Sequence, residues 1–336
     1  MTEKLKQKWL RLYAVAQQIG VMQPWDDFSE SDRFTYIWKD KSKSVFFSFI
    51  GESAQKCGIA CYTCEEDYIR ARVRLTEKND KCEPVFMLQN ALICLWDDRE
   101  DLSKENYALI KELGFKPRGK GAWLHFDRYE IGYAPVPLDE KEVDLLTTAF
   151  ENLHMMLRAI YEQGLDPKFD KRKNLVRWYE PKDKLYYTHP FEIEIPNGII
   201  THPLVTVQEN EWMREVCSMK NADYSVELDW SYVGVIYDDE EGRGTFPRML
   251  LAVEPKNGFI LVNEMLSPSH NQPGFVFNVL DHFIERYGKP SEIAICDEDL
   301  KGILSDVCKK VGIKLTVKKR LAALNNARKT ILAQIM

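Results

Sequence analysis

Residues 290–318 read PSEIAICDEDLKGILSDVCKKVGIKLTVK, and they decide the fold of the second half of the chain. Apolar and β-branched residues predict one strand at 292–296 and another at 314–318. Between these strands, the apolar positions of residues 298–311 recur at helical spacing, and Gly312 is a typical helix stop. The stretch therefore predicts a strand, a helix and a second strand.

The segments around this stretch complete a recognisable order of elements. Three strands are predicted upstream, at 226–237, 249–254 and 259–265, and a helix follows at 274–287. A terminal helix is predicted at 321–335. Three antiparallel strands followed by alternating helix and strand form the order of a ribonuclease H-like α/β domain. Fold order alone does not determine function.

The first half predicts an α+β domain built on a mixed sheet. An amphipathic helix occupies the first twenty residues and is expected to end at Gly20. Ser103 is the expected N-cap of a later helix, and Asp139 with Glu142 forms a capping-box pattern. The remaining predicted elements are strands at 33–38, 44–50, 58–62, 85–96, 122–133, 175–179 and 184–193, and a helix at 65–75.

The domain boundary is predicted near residue 195. Two prolines and a glycine between residues 195 and 203 interrupt every periodic pattern there. We therefore expect an N-terminal α+β domain at 1–195 and the ribonuclease H-like domain at 196–336.

Composition excludes several classes of protein. The chain has 336 residues, of which 45% are hydrophobic and 29% are charged, as in soluble globular proteins. Its apolar runs are shorter than the roughly 18 residues of a membrane span, and its N-terminus lacks the pattern of a signal peptide. Eight cysteines are too sparse for a disulfide scaffold. We expect a cytoplasmic protein with reduced thiols and no membrane partner.

Cys57, Cys61 and Cys64 have the CxxxCxxC spacing of enzymes that bind a four-iron cluster and S-adenosylmethionine. That chemistry needs the three sulfurs on one loop, whereas residues 58–62 here continue a predicted strand. Buried structural thiols are therefore the preferred interpretation, and an iron–sulfur enzyme is a third hypothesis for function.

Two further motifs lack the context that their chemistry requires. Residues 114–121 match GxxxxGK, but a helix precedes the loop and a strand follows it, so no helix N-terminus faces a phosphate. The six histidines never occur at the i,i+3 or i,i+4 spacing of zinc ligands.

The second half carries the sharpest catalytic hypothesis. Asp229 falls in the first predicted strand and Asp297 follows the fourth, the two places where ribonuclease H-like nucleases hold metal ions. Two-metal chemistry needs further acids, usually from a helix. The terminal helix offers Asn325 and Asn326 there, because residues 307–336 contain no Asp or Glu. The alternative roles are a helix N-cap for Asp297 and a solvated strand position for Asp229.

Basic residues concentrate in two segments although the net charge of the chain is -6. Residues 307–336 carry eight cations, and residues 168–184 carry seven beside several aromatic residues. Such segments attract phosphate, but a self-neutralising surface facing the acidic residues 238–241 is the preferred interpretation.

Five segments resemble a family of uncharacterised two-domain bacterial proteins, classed as domains of unknown function. The segments are Val45-Phe-Phe-Ser-Phe-Ile-Gly51, Gly58-Ile-Ala-Cys-Tyr62, Glu227-Leu-Asp-Trp230, Pro247-Arg-Met-Leu-Leu-Ala-Val253 and Pro290-Ser-Glu-Ile293. The resemblance implies an intracellular bacterial protein and assigns no substrate and no catalytic residue.

The sequence thus predicts a non-catalytic intracellular binding or interaction protein without a cofactor. Its partner would be an unidentified protein or a weakly bound nucleic acid. The alternative is a magnesium- or manganese-dependent nuclease using Asp229 and Asp297, with Lys318, Lys319 and Arg320 holding the phosphate backbone.

Overall fold

The computed structural model of the chain describes residues 1–51, 56–76, 88–171, 173–192, 200–239 and 241–335. These residues form two compact units. The first unit comprises the described residues of Met1–Thr76, Gln89–Glu130 and Pro135–Ile200. The second unit comprises Leu88, Ile131–Ala134 and the described residues from Thr201 onward. The predicted boundary at residue 195 lies outside the described residues.

The first unit contains four α-helices and eight strands among its described residues. The helices are α1 (Glu3–Met22), α2 (Glu65–Thr76), α3 (Lys104–Glu112) and α4 (Glu140–Tyr161). The strands are β1 (Arg33–Ile37), β2 (Ser44–Ile50), β3 (Cys57–Tyr62), β4 (Ala91–Asp97), β5 (Trp123–Tyr129), β6 (Val136–Pro137), β7 (Lys173–Glu180) and β8 (Leu185–Glu192).

All eight strands form one sheet in the order β6-β5-β4-β3-β2-β1-β7-β8. The pairing of β1 with β7 is parallel, and the other pairings are antiparallel. The predicted mixed sheet is therefore confirmed. The apolar faces of α1 and α4 pack on one side of this sheet, and α2 packs on the other.

Local signals fix most helix ends in the first unit. The Ser103 hydroxyl accepts the backbone N–H of Asn106, and Asp139 with Glu142 forms the predicted capping box. One prediction was wrong, because α1 continues past Gly20 to Met22. A Cβ at Gly20 would lie 2.9 Å from the Trp96 ring, so this glycine permits close packing rather than ending the helix.

The second unit contains four helices and seven strands among its described residues. The helices are α5 (Glu211–Ser218), α6 (Gln272–Tyr287), α7 (Glu298–Val311) and α8 (Ala322–Ile335). The strands are β9 (Ala222–Tyr232), β10 (Tyr237–Asp238), β11 (Gly244–Thr245), β12 (Arg248–Glu254), β13 (Phe259–Leu266), β14 (Pro290–Ile295) and β15 (Lys314–Val317).

Five of these strands form a sheet in the order β13-β12-β9-β14-β15. β9, β12 and β13 are antiparallel, and β14 and β15 continue the sheet in parallel with β9. Because this is the ribonuclease H-like order, the predicted fold is confirmed. The helices α6 and α7 pack on one face of the sheet, and α8 packs on the other.

β9 ends five residues earlier than predicted. Its last paired residue, Tyr232, lies opposite Arg248, and the residue before Arg248 is Pro247. The N–H of Val233 still donates to the carbonyl of Pro247 at 2.9 Å, but proline has no N–H to return, so the regular ladder ends here. Residues Tyr237–Asp238 form a separate two-residue strand.

Candidate functional site

The fold brings the predicted acidic residues to one region of the second sheet. β9 and β14 are parallel neighbours, and Glu227 lies opposite Ala294. Continuing this register by two residues puts Asp229 level with Cys296, which Asp297 directly follows. Asp229 lies in the strand and Asp297 in the turn between β14 and α7.

The Asp229 carboxylate is buried against α8 instead of being solvated, so the expectation of a solvated strand residue was wrong. Its Oδ2 accepts a hydrogen bond from Nη2 of Arg328 at 3.0 Å, and each side chain is only 3% exposed. The prediction also treated Arg328 as part of a surface that faces residues 238–241, whereas its guanidinium lies inside the second unit. A buried carboxylate requires such a partner because removal from water disfavours an isolated charge.

Glu227 is a third acid in this region and was not among the predicted site residues. It precedes Asp229 by two residues and therefore lies on the same face of β9. It is 6% exposed, and its Oε2 accepts the backbone N–H of Leu324 in the first turn of α8 at 2.9 Å. The alternation of Glu227, Asp229 and Ser231 along the strand could have indicated that Glu227 belongs to the site. The same polar alternation is also typical of a solvated strand face.

Asp297 is the N-cap of α7. Its Oδ1 accepts the backbone N–H groups of Asp299 at 3.0 Å and Leu300 at 3.2 Å. The cap satisfies donors that the first helical turn otherwise leaves unpaired. One carboxylate oxygen of Asp297 therefore already serves the helix.

At the place where a metal-dependent nuclease would need an acid from the terminal helix, α8 presents the amide of Asn325 and the guanidinium of Arg328 to the sheet. Asn325 is 9% exposed, and its Oδ1 accepts a hydrogen bond from Nη1 of Arg328 at 3.0 Å. Asn326 is exposed. Asn325 thus orients the guanidinium toward Asp229.

This arrangement does not fit a magnesium or manganese ion. Such ions need several oxygen ligands, and a two-metal site needs carboxylates that can reach both ions. Here Glu227 and Asp297 accept backbone N–H groups, and Asp229 is paired with a cation. Among the residues that the structure describes, no group of three or more His, Cys, Asp or Glu side chains could hold a metal ion.

The predicted phosphate-binding residues Lys318, Lys319 and Arg320 connect β15 to α8, and all three are exposed. The backbone N–H of Lys318 donates to the carbonyl of Ile295 at 2.8 Å, which places this connection beside the end of β14. The loop therefore lies at the C-terminal end of β14, close to Asp297, the N-cap of α7.

The three spaced cysteines do not share one environment. Cys57 and Cys61 lie in β3, and Cys64 lies after the strand. Cys61 is buried, Cys57 is half-buried and Cys64 is exposed, so the expectation that all three are buried was wrong. The GxxxxGK segment follows α3 and precedes β5, as predicted, and Gly114 has a φ of 87°.

A buried charged cluster in the first unit was also missed by the sequence analysis. His125 lies between two carboxylates, with Nδ1 2.8 Å from Asp127 Oδ2 and Nε2 3.3 Å from Asp97 Oδ2. Asn106 donates to Asp127 at 2.8 Å, and Lys56 donates to Asp97 at 2.8 Å. The positive charges of His125 and Lys56 balance the negative charges of Asp97 and Asp127.

The protonation of His125 follows from these contacts. Burial lowers the pKa of the imidazole, but hydrogen bonds to Asp127 and Asp97 outweigh this effect and raise the pKa to about 9. A cation held between two carboxylates cannot act as a general base near neutral pH. The contacts of this cluster link β4, β5 and α3 within the first unit.

No helix among the described residues has both the length and the apolar content needed to cross a membrane. This finding concerns only the described residues of the chain.

Comparison with solved structures returns retroviral integrase cores. The HTLV-2 integrase catalytic core domain in complex with magnesium is 12% identical, with 34% of this chain and 72% of that chain covered and a TM-score of 0.26. The BIV integrase catalytic core domain is also 12% identical, with 34% and 66% covered and a TM-score of 0.25. The ribonuclease H-like assignment rests on the strand order given above.

A search of the curated proteins finds no match to this chain. Two family models match it. The first, described as a domain of unknown function (DUF7309), matches residues 9–177, and the second, described as a domain of unknown function (DUF6930), matches residues 213–332. The resemblance to proteins with two domains of unknown function is confirmed, and the chain belongs to the DUF7309 family.

Proposed function

We propose that the chain is a non-catalytic binding protein whose second unit keeps a nuclease-like fold without metal-dependent chemistry. The observation that carries this proposal is the buried ion pair between Arg328 and Asp229. In a two-metal nuclease, cations compensate the charge of the strand carboxylate. Here a side chain of the protein supplies the compensating positive charge.

Electrostatics favours the guanidinium over a metal ion. A divalent cation on Asp229 would lie close to Arg328, whose Nη2 is 3.0 Å from the carboxylate oxygen. Two unit charges about 4 Å apart interact by about 4 kcal/mol at an effective dielectric of about 20, and a divalent ion doubles this repulsion. Metal binding would therefore require displacement of Arg328 from the core.

Thermal unfolding with and without Mn²⁺ tests the proposal. A ligand that binds only the folded state raises its Tm, so Mn²⁺ should leave the wild-type Tm unchanged. Arg328→Glu removes the internal cation and adds an acid beside Asp229. We expect Mn²⁺ to raise the Tm of this variant. A Mn²⁺-induced increase in the wild-type Tm that Asp229→Asn abolishes would contradict the proposal.

A cleavage assay provides the second test. The wild-type chain is incubated with Mg²⁺ or Mn²⁺ and labelled single-stranded DNA, duplex DNA and RNA–DNA hybrid, and all three should remain intact. Asp223→Asn is the matched control for Asp229→Asn, because Asp223 is an exposed residue of the same strand. Cleavage that persists in Asp223→Asn and disappears in Asp229→Asn would establish catalysis.

The alternative function is a metal-dependent nuclease that uses Asp229 and Asp297, with Lys318, Lys319 and Arg320 on the phosphate backbone. One observation favours it: the exposed basic loop lies beside the end of β14, two residues before Asp297. The same cleavage assay distinguishes the two functions, because only the alternative predicts turnover.

A further inference from the structure

We infer that the β7–β8 hairpin of the first unit binds a single-stranded polynucleotide by stacking bases on exposed aromatic rings. This inference names a partner for the proposed binding function and rests on it. The proposed surface lies in the first unit and uses none of the acidic residues discussed above.

Four rings form a continuous aromatic face on this hairpin. Trp178 in β7 lies opposite Tyr187 in β8, and His189 and Phe191 follow at alternate positions of β8. Alternate residues of a strand project to one side, about 6.6 Å apart. The centroids of Trp178 and Tyr187 are 5.7 Å apart in a stacked arrangement, and Phe191 lies 5.4 Å from Trp178.

Three of these four rings are exposed, and Trp178 is half-buried beside them. β8 is the last strand in the order of the sheet. Tyr187 is 39% exposed and Phe191 is 44% exposed, and His189 is exposed as well. Aromatic side chains of this size are usually buried, so an exposed cluster indicates a binding surface. Stacking on such rings tolerates any base, because every base has a π-face.

Cations surround the same end of the sheet. β1 and β7 are parallel, so the turns that follow them lie side by side. Residues 38–43 and 177–187 together carry six cations and three carboxylates, in a chain whose net charge is -6. The ammonium of Lys39 lies 4.3 Å from the Tyr179 ring centroid, so the turn after β1 contacts the end of β7. Local positive charge beside stacked rings is the combination that binds single strands.

The geometry favours a polynucleotide over an anionic membrane. A membrane-inserting loop needs apolar residues at its tip. The turn between β7 and β8 consists of Pro181, Lys182, Asp183 and Lys184, and the rings lie on the flat face of the strands instead. Vesicles are therefore included in the test as a competing ligand.

Fluorescence anisotropy with the full chain tests the inference. The probes are a labelled oligothymidylate and an oligouridylate of about 12 nucleotides, and an abasic strand of equal length. We expect binding of the first two that weakens between about 50 and 200 mM salt, and at least about fivefold weaker binding of the abasic strand. Equal binding of the abasic strand would overturn the inference, because it carries the phosphates without the bases.

Variants locate the site. Tyr187→Ala should weaken binding at least about fivefold, whereas Tyr187→Phe keeps the ring and should bind normally. Tyr237→Ala is the matched control, since Tyr237 is 50% exposed and lies in the second unit. Lys184→Ala should reduce the salt dependence, and Lys104→Ala, at an exposed position of α3, should not.

Two further outcomes separate this inference from the proposed function. Vesicles of phosphatidylglycerol that bind as tightly as the oligonucleotides, or the absence of binding to an intact probe, would overturn the inference alone. A probe that is bound and then shortened in Mn²⁺ would contradict the proposed non-catalytic function and leave the stacking surface standing. The abasic comparison uses the unchanged chain, so it decides the question even if a variant fails to fold.

Discussion

Arg328 in α8 donates a hydrogen bond to Asp229 in β9 across 99 residues of sequence, and both side chains are buried. The pair joins the last helix of the second unit to the central strand of its sheet. Asn325 holds the guanidinium in place from the same helix. The charge of β9 is therefore compensated from within the protein.

Removal of Arg328 should destabilise the second unit strongly. Arg328→Met leaves Asp229 buried without its cation, and breaking a buried pair in this way costs about 3–5 kcal/mol of unfolding free energy. Urea unfolding measures the loss. The double variant Arg328→Met/Asp229→Asn removes both charges and should recover at least half of it.

The matched control for this prediction is Lys329→Met, which changes the neighbouring exposed cation of α8. Its effect should stay within about 0.5 kcal/mol. If the Arg328→Met variant lost no more stability than this control, the pair would have no structural importance.

The first unit should lose stability in alkaline solution. The pKa of His125 is raised from 6.5 to about 9 in the folded chain, so the folded state binds this proton more tightly than the unfolded state. The stabilising contribution is fully present below pH 6.5 and is lost as the pH rises through about 9. Unfolding midpoints between pH 6 and pH 10, together with NMR titration of the imidazole, measure it.

His125→Gln removes this titration and should flatten the pH dependence in that range. His154→Gln is the control, because burial and the nearby Arg158 lower the pKa of His154 instead. Identical pH profiles for the wild type and His125→Gln would show that the cluster does not hold a proton.

Gly302 in α7 should not tolerate alanine. Alanine normally favours a helix over glycine by about 1 kcal/mol. A Cβ at this position would lie 1.9 Å from the carbonyl oxygen of Pro203, a backbone atom that cannot move aside easily. We expect Gly302→Ala to lose about 1–3 kcal/mol in urea unfolding. Ser305→Ala, at an exposed position of the same helix, should be nearly neutral, and equal effects of the two would refute the close approach.

Thiol labelling should divide the cysteines into two classes. Cys64 and Cys217 are exposed, whereas burial raises the pKa of Cys61 and raises that of Cys308 to about 12. Because the thiolate is the reactive form, a disulfide reagent should modify Cys64 and Cys217 in the native chain, and Cys61 and Cys308 only after denaturation. Peptide mass spectrometry locates the label, and rapid modification of Cys61 would contradict the described environment.

Much of the fold could be predicted because its signals are local. The caps at Ser103, Asp139 and Asp297 lie within three residues of the N–H groups that they accept. The order of strands and helices in the second half follows from periodicity alone. The parallel pairing of β1 with β7 joins residues about 140 positions apart, and no local pattern encodes it.

The candidate site was predicted only in part, for the same reason. The positions of Asp229 in the first predicted strand and of Asp297 after the fourth followed from the predicted order of elements. The burial of Asp229 and Glu227 depends on α8, which contributes Arg328 and the backbone N–H of Leu324 from almost 100 residues away. A polar alternating strand looks the same in sequence whether water or a distant helix covers it.

The contacts between β9 and α8 also constrain when the second unit can fold during synthesis. β9 emerges from the ribosome with two carboxylates whose partners, Leu324 and Arg328, are 97 and 99 residues downstream. Until those residues emerge, burial of the central strand would leave its charges uncompensated. Contacts of such long sequence separation form late because loop closure must precede them. The second unit should therefore acquire its stable structure only after translation has passed α8.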